Sequence, residues 1–79
     1  MSLDYYTEAR AVIDELFRDG FVLEATKIRE AMETGSTASE ILMAIRWHLQ
    51  QFQKANNPVS FDTRRKIREL VAELNKVLA

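Results

Sequence analysis

The sequence contains no cysteine, and its 79 residues include only two glycines, one proline, one tryptophan and one histidine. Without cysteine neither a disulfide framework nor a thiolate metal site is available, which argues against a small secreted scaffold. No run approaches the roughly 18 apolar residues of a membrane span, and the N-terminus lacks the basic-then-apolar pattern of a signal peptide. We therefore expect a cytoplasmic protein that does not associate with membranes.

Residues typical of catalytic and metal sites are also scarce. One histidine, His48, and no cysteine leave mainly carboxylates as metal ligands, and there is no Glu-x-x-His pair of the di-iron kind. The serine and threonine hydroxyls nearest in sequence precede His48 by about three helical turns, so helix capping explains them better than nucleophilic catalysis. No glycine-rich phosphate-binding loop is present. We expect no catalytic residue, no metal and no cofactor.

Glycine and proline occur only where helices are expected to end. Gly20 and Gly35 follow amphipathic segments, and Pro58 lies in a polar connection before the last segment. Gly20 tolerates the left-handed conformation that closes a helix, with Phe21 folding back onto the last turn as in a Schellman motif. The interiors of the amphipathic segments are therefore uninterrupted.

Apolar residues recur at intervals of three and four in four segments, as expected for helices that bury one side. The predicted helices span residues 4–19, 22–33, 38–54 and 61–78 of a single helical domain, 1–79. Asp4, Thr37 and Ser60 are placed to cap three of them, and Phe61 would be a hydrophobic staple ahead of an alternative cap at Asp62. Because the connections are short and no strand pattern occurs, we predict an all-α four-helix bundle built of two antiparallel helical hairpins.

The third predicted helix is apolar around more of its circumference than a surface helix requires. It begins with a capping-box pattern, Thr37 followed by Glu40. One stripe fits a core and contains Ala38, Ile41, Leu42, Ile45, Leu49 and Phe52, with His48 beside them. Met43 and Trp47 lie one turn apart on a second face.

Two interpretations of this second face remain open from sequence. Trp47 either completes a small core, in which case Trp47→Ala would cost about 3–5 kcal/mol, or it contacts a partner, since Trp and Met are enriched at interfaces. The interface candidates are Met43, Arg46, Trp47 and Gln50, and the face could be extended by Tyr6, Val22 or Leu23.

The charge is unevenly distributed along the chain. Residues 1–35 carry eight acids and four bases, whereas residues 36–79 carry four acids and seven bases. Four of those bases, Arg64, Arg65, Lys66 and Arg68, cluster at the start of the fourth predicted helix. They could contact nucleic-acid phosphates. The alternative is that they form ion pairs with acidic residues of the first half, because bases near a helix N-terminus need a compensating charge.

The segment from Gly20 to Trp47 carries a resemblance. Its run G-F-x-x-E-A-x-x-I-R-E-A-M-E-x-G-S-T-A-S-E-I-L-M-A-I-R-W is similar to a group of small bacterial proteins of uncharacterised function that share the Gly-Ser-Thr, Glu-Ile-Leu-Met and Arg-Trp elements. The resemblance covers about a third of the chain. It implies a bacterial cytoplasmic source and brings no activity and no catalytic residue.

These features together favour a non-enzymatic helical module for protein–protein interaction. A single core in 79 residues is marginally sufficient, which favours support from a second chain. We therefore predict self-association through the third helix as a homodimer. The alternatives are a small nucleic-acid-binding regulator that uses the basic cluster, and a partner-blocking protein of the immunity or antitoxin kind.

Overall fold

The structure, a computed structural model, describes residues 4–79, and every regular element within them is an α-helix. Helix α1 spans Tyr5–Arg18, α2 Val22–Thr34, α3 Ala38–Lys54 and α4 Phe61–Val77. All eight helix ends lie within one residue of the predicted bounds. The all-α class is therefore confirmed for the described part of the chain.

Three helices begin at the predicted capping side chains, Asp4, Thr37 and Ser60. The Asp4 carboxylate accepts from the N–H groups two and three residues ahead, and the two hydroxyls accept from the N–H three residues ahead at 3.1 and 3.3 Å. The capping box is half formed, because within residues 4–79 the Thr37 N–H donates no hydrogen bond to the Glu40 carboxylate. Since Ser60 is the cap, Phe61 is the first residue of α4 and is 78% exposed. The predicted staple at Phe61 is therefore wrong.

Helix α1 ends in the predicted Schellman motif. Gly20 has a φ of +91°, and its N–H donates to the Phe17 carbonyl at 3.1 Å. The Phe21 N–H donates to the Leu16 carbonyl at 2.8 Å, which completes the pair of hydrogen bonds that define the motif. Asn56, with a φ of +54°, ends α3 in the same left-handed conformation.

Gly35 ends α2 for a different physical reason. Its φ of −66° and ψ of 142° are extended backbone that any residue adopts. A Cβ at this position would collide with Cγ1 of Ile41 and lie 3.1 Å from the Ala31 carbonyl oxygen. Glycine is required here because the first turn of α3 approaches the end of α2 closely.

The hydrophobic core lies between the four helices, and each of them contributes to it. Its buried members are Ala9, Val12, Ile13, Leu16, Ala25, Ile28, Ile45, Leu49, Phe52, Ile67, Leu70, Val71 and Leu74. Helix α1 packs against α2, α2 against α3, α3 against α4, and α4 against α1, which is consistent with a bundle. The radius of gyration is 11.6 Å, close to the value of about 12 Å expected for a compact chain of this length.

A polar junction joins the end of α1 to the start of α4 and contains Glu15, Asp19, Ser60, Thr63 and Lys66. The fully buried Thr63 hydroxyl donates to Asp19 Oδ2 at 2.9 Å, and the Ser60 N–H donates to the same oxygen at 3.1 Å. Lys66 Nζ donates to Glu15 Oε1 at 3.1 Å. Because a buried hydroxyl without a partner is costly, this polar junction fixes where α4 begins relative to α1.

The polar junction lowers the pKa of both of its carboxyl groups. At Glu15, whose ordinary pKa is 4.5, the largest cause is the hydrogen bond from Lys66. At Asp19, whose ordinary pKa is 3.8, the largest cause is the hydrogen bond from the Ser60 backbone N–H. A carboxylate with a lowered pKa stabilises the folded protein above its ordinary pKa, and this contribution is lost as the pH falls through the folded-state pKa.

The double substitution Glu15→Gln and Asp19→Asn should therefore flatten the acid limb of the stability curve. The free energy of unfolding of the wild type should fall as the pH is lowered from about 5 towards 2, and that of the variant should fall less. Urea denaturation followed by circular dichroism at a series of pH values measures both. Parallel curves for the two proteins would contradict the role assigned to these carboxylates.

Candidate protein-binding face on the third helix

The candidate site is the side of α3 that points away from the core. Five exposed residues repeat along it at three- and four-residue intervals: Glu40, Met43, Trp47, Gln51 and Lys54. We call these five residues the outer face of α3. Because they follow the helical repeat, they form one continuous stripe along the helix.

Trp47 lies at the middle of the outer face. It is two residues from Ile45 and two from Leu49, and both of these side chains are buried. Two residues correspond to about 200° around a helix, so the burial of Ile45 and Leu49 turns Trp47 outwards. Trp47 is 57% exposed and its neighbour Met43 is 48% exposed. The core interpretation of Trp47 is therefore excluded by its position.

The two remaining interface candidates border this face. Arg46 is half-buried, and its Nη1 donates to Oδ1 of Asn75 on α4 at 3.4 Å. Gln50 is also half-buried. Arg46 therefore links α3 to α4, whereas Met43 and Trp47 are exposed.

His48 borders the opposite edge of the outer face. Its ring contacts that of Trp47 edge-on, with centroids 5.1 Å apart and an interplanar angle of 82°. Burial, and after it the charge of Lys27, lowers the pKa of His48 from its ordinary 6.5. The neutral imidazole is therefore the favoured form beside Trp47 at neutral pH.

The proposed extensions are not among the residues that line the groove beside this face. Tyr6 lines a separate groove between α1 and α2, together with Met32 and Arg29. Val22 and Leu23 are exposed in the first turn of α2. The groove that adjoins Trp47 and His48 is lined from α2 by Glu24, Lys27 and Ile28 instead.

The four bases of α4 do not form a single cluster in space. Lys66 belongs to the polar junction, where it pairs with Glu15, and Arg65 lies 3.5 Å from Asp62 one turn earlier. Arg64 and Arg68 line a groove on another side of α4. Successive residues point about 100° apart around a helix, so a run in sequence becomes a scatter around the axis.

Within residues 4–79 there is no group of three or more His, Cys, Asp or Glu side chains placed to hold a metal ion. No helix in the same range is both long enough and apolar enough to cross a lipid bilayer.

No family model matches the sequence, and no curated protein or solved structure is significantly similar to it. The resemblance of the segment from Gly20 to Trp47 therefore stays a prediction. Any functional conclusion has to come from the side chains themselves.

The sequence predicts the centre of the outer face, Met43 and Trp47, but not its ends. Glu40 is predicted only as part of a capping box, and no role is predicted for Gln51 or Lys54. Glu40 and Lys54 lie seven residues before and after Trp47, and Gln51 lies four after it. Spacings of four and seven place residues on one side of a helix, so this periodicity was the available signal.

The exposure of Trp47 predicts an unequal cost of two aromatic truncations in the same helix. Trp47→Ala should lower the free energy of unfolding by only about 1–2 kcal/mol, because more than half of this residue is already exposed. Phe52→Ala should lower it by about 3–5 kcal/mol, because this ring is buried and contacts Phe21 edge-on. Urea denaturation at low micromolar concentration, followed by circular dichroism, gives both values. Equal losses would show that Trp47 belongs to the core.

Proposed function

We propose that this protein is a non-enzymatic helical module for protein–protein interaction, which binds through the outer face of α3 and associates with a second copy of itself. The observation that carries the proposal is the exposure of Trp47 beside Met43, on the side of the helix opposite the core. A cytoplasmic location belongs to the same proposal.

Exposed tryptophan next to exposed methionine is an arrangement that favours an interface. Trp and Met are enriched at the buried centres of interfaces, where charged residues are depleted, and the surrounding rim is polar. Trp is also among the residues whose truncation costs most binding energy. On α3 the charged members, Glu40 and Lys54, stand at the two ends of the outer face, and the apolar members stand between them.

Other exposed apolar side chains support a binding role less well. Phe61 is 78% exposed at the first position of α4, without an apolar residue one turn later, where Arg65 stands. Val22 and Leu23 are consecutive and therefore point about 100° apart around α2. Among the exposed large apolar side chains of residues 4–79, Met43 and Trp47 are the pair that lies four residues apart on one helix.

Self-association also suits the size of the chain. A domain of 79 residues buries a smaller share of its surface on folding than a larger domain, so its single core has little reserve. A second copy that covers Trp47 and Met43 would add apolar burial without lengthening the chain.

The alternatives have less support. For a nucleic-acid-binding regulator, the pairing of Lys66 with Glu15 and of Arg65 with Asp62 leaves only two bases of the Arg64–Arg68 run, Arg64 and Arg68, without an acidic partner among the described residues. A partner-blocking protein of the immunity or antitoxin kind would use the same outer face of α3 on a different protein. Light scattering with the isolated chain separates that case from self-association.

The arrangement in two antiparallel hairpins is also part of the proposal. Its support is the contacts between helix ends. Tyr6, near the start of α1, lines one groove with Glu33, near the end of α2. Gln53, near the end of α3, lines another groove with Arg64, near the start of α4, and Arg46 in α3 donates to Asn75 near the end of α4. Asp19, at the end of α1, accepts a hydrogen bond from Ser60 at the start of α4.

Light scattering after size exclusion tests self-association. The wild-type chain of 9.1 kDa should approach twice that mass as the loaded concentration rises into the high micromolar range. Trp47→Ala should remain monomeric at the same concentrations, because it removes the central apolar side chain of the outer face. Circular dichroism should show unchanged helix content.

Phe61→Ala is the matched control, since it removes an exposed aromatic ring from a different helix. It should dimerise like the wild type. A wild-type chain that stays at 9.1 kDa at high micromolar concentration would overturn the proposal. Dissociation by Phe61→Ala but not by Trp47→Ala would move the interface away from α3.

A further inference from the structure

We infer that the second copy docks with its α3 antiparallel to the first, about a two-fold axis that passes beside Trp47 and pairs Glu40 of each copy with Lys54 of the other. This pairing rests on the proposed function, since it specifies how two copies meet through the outer face of α3. The observation behind it is the distribution of charge along that face.

The spacing along α3 is symmetric about Trp47. Glu40 lies seven residues before it and Lys54 seven residues after it, and both are exposed. Seven residues are close to two helical turns, or about 10 Å, so both charges lie on the same side of the helix as Trp47. A two-fold axis beside Trp47 reverses the direction of α3 and therefore brings Lys54 of one copy opposite Glu40 of the other.

The same operation places the neutral residues of the face together. Trp47 of each copy lies beside the axis, where the two rings meet each other. Met43 lies opposite Gln51 of the second copy, because they are four residues before and after Trp47. Every contact then occurs twice, as an isologous interface requires.

A parallel pairing of the two helices would have the opposite electrostatics. It would place Glu40 against its own copy at one end and Lys54 against its own copy at the other, giving two pairs of like charge. It would also align the two helix dipoles, whereas an antiparallel pair opposes them. Charge along the outer face of α3 therefore selects the antiparallel orientation.

Disulfide cross-linking tests the orientation directly, because a chain without cysteine allows each introduced thiol to pair only with another introduced one. Met43→Cys and Gln51→Cys chains are purified separately, mixed at high micromolar concentration and equilibrated in a glutathione redox buffer. The mixture should yield a disulfide-linked dimer of one chain of each kind. Each variant alone should yield several-fold less, because its own thiols lie on opposite sides of the axis, about 12 Å apart along the helix.

Charge reversal provides the second readout. Glu40→Lys alone should weaken dimerisation by about tenfold, because it converts two exposed pairs of opposite charge into two pairs of like charge. Adding Lys54→Glu to the same chain should restore the wild-type affinity, since each pair is then reversed but complementary. In a parallel dimer neither step would change the number of like-charge pairs. Light scattering over a concentration series in low-salt buffer gives the affinities.

The outcomes separate the orientation from the proposed function. A wild-type dimer in which Met43→Cys alone cross-links efficiently, or in which Lys54→Glu fails to rescue Glu40→Lys, would overturn the antiparallel pairing and leave self-association standing. A chain that is monomeric in its wild-type form would overturn both. Cross-linking between Met43→Cys and Gln51→Cys chains, together with rescue of Glu40→Lys by Lys54→Glu, establishes the antiparallel pairing.

Discussion

The proposed function of this protein depends on one constraint, the burial of Ile45, Leu49 and Phe52 in the core. These three side chains fix the rotation of α3 about its own axis, because all of them enter the core of the bundle. Once the rotation is fixed, the periodicity of the helix determines what faces outwards. Trp47 then has no place in the core, and the largest side chain of the sequence is left in water beside Met43.

Hydrogen bonds and an ion pair fix the start of α4 against the end of α1, and they also neutralise a base that could have served binding. Thr63 is fully buried and bonded to Asp19, and Lys66 reaches Glu15 across the polar junction. The acidic first half and the basic second half of the chain thus meet at one place. The four bases that are adjacent in sequence are therefore separated in the fold. Lys66 pairs with Glu15 of α1, and Arg65 pairs with Asp62 of its own helix. Arg64 and Arg68 lie on a third side of α4.

Local signals made much of the fold predictable. Hydrophobic spacing located four helices, and the caps at Asp4, Thr37 and Ser60 and the Schellman stop at Gly20 depend only on neighbouring residues. Contacts between distant segments were not predictable in the same way. The sequence could not decide whether Trp47 was core or surface, because that depends on whether other side chains already fill the bundle. The steric need for Gly35 and the pairing of Lys66 with Glu15 likewise require the packing of one helix on another.

Quenching of Trp47 fluorescence by acrylamide tests the central claim most directly, because this residue is the only tryptophan of the chain. If the outer face of α3 is free in the monomer and covered by a partner copy, the quenching constant should be that of an exposed indole at nanomolar concentration. It should then fall as the concentration rises through the range in which the mass doubles. A constant already low at the lowest concentration would show Trp47 buried in its own chain, and a high constant at every concentration would show that no second copy covers it.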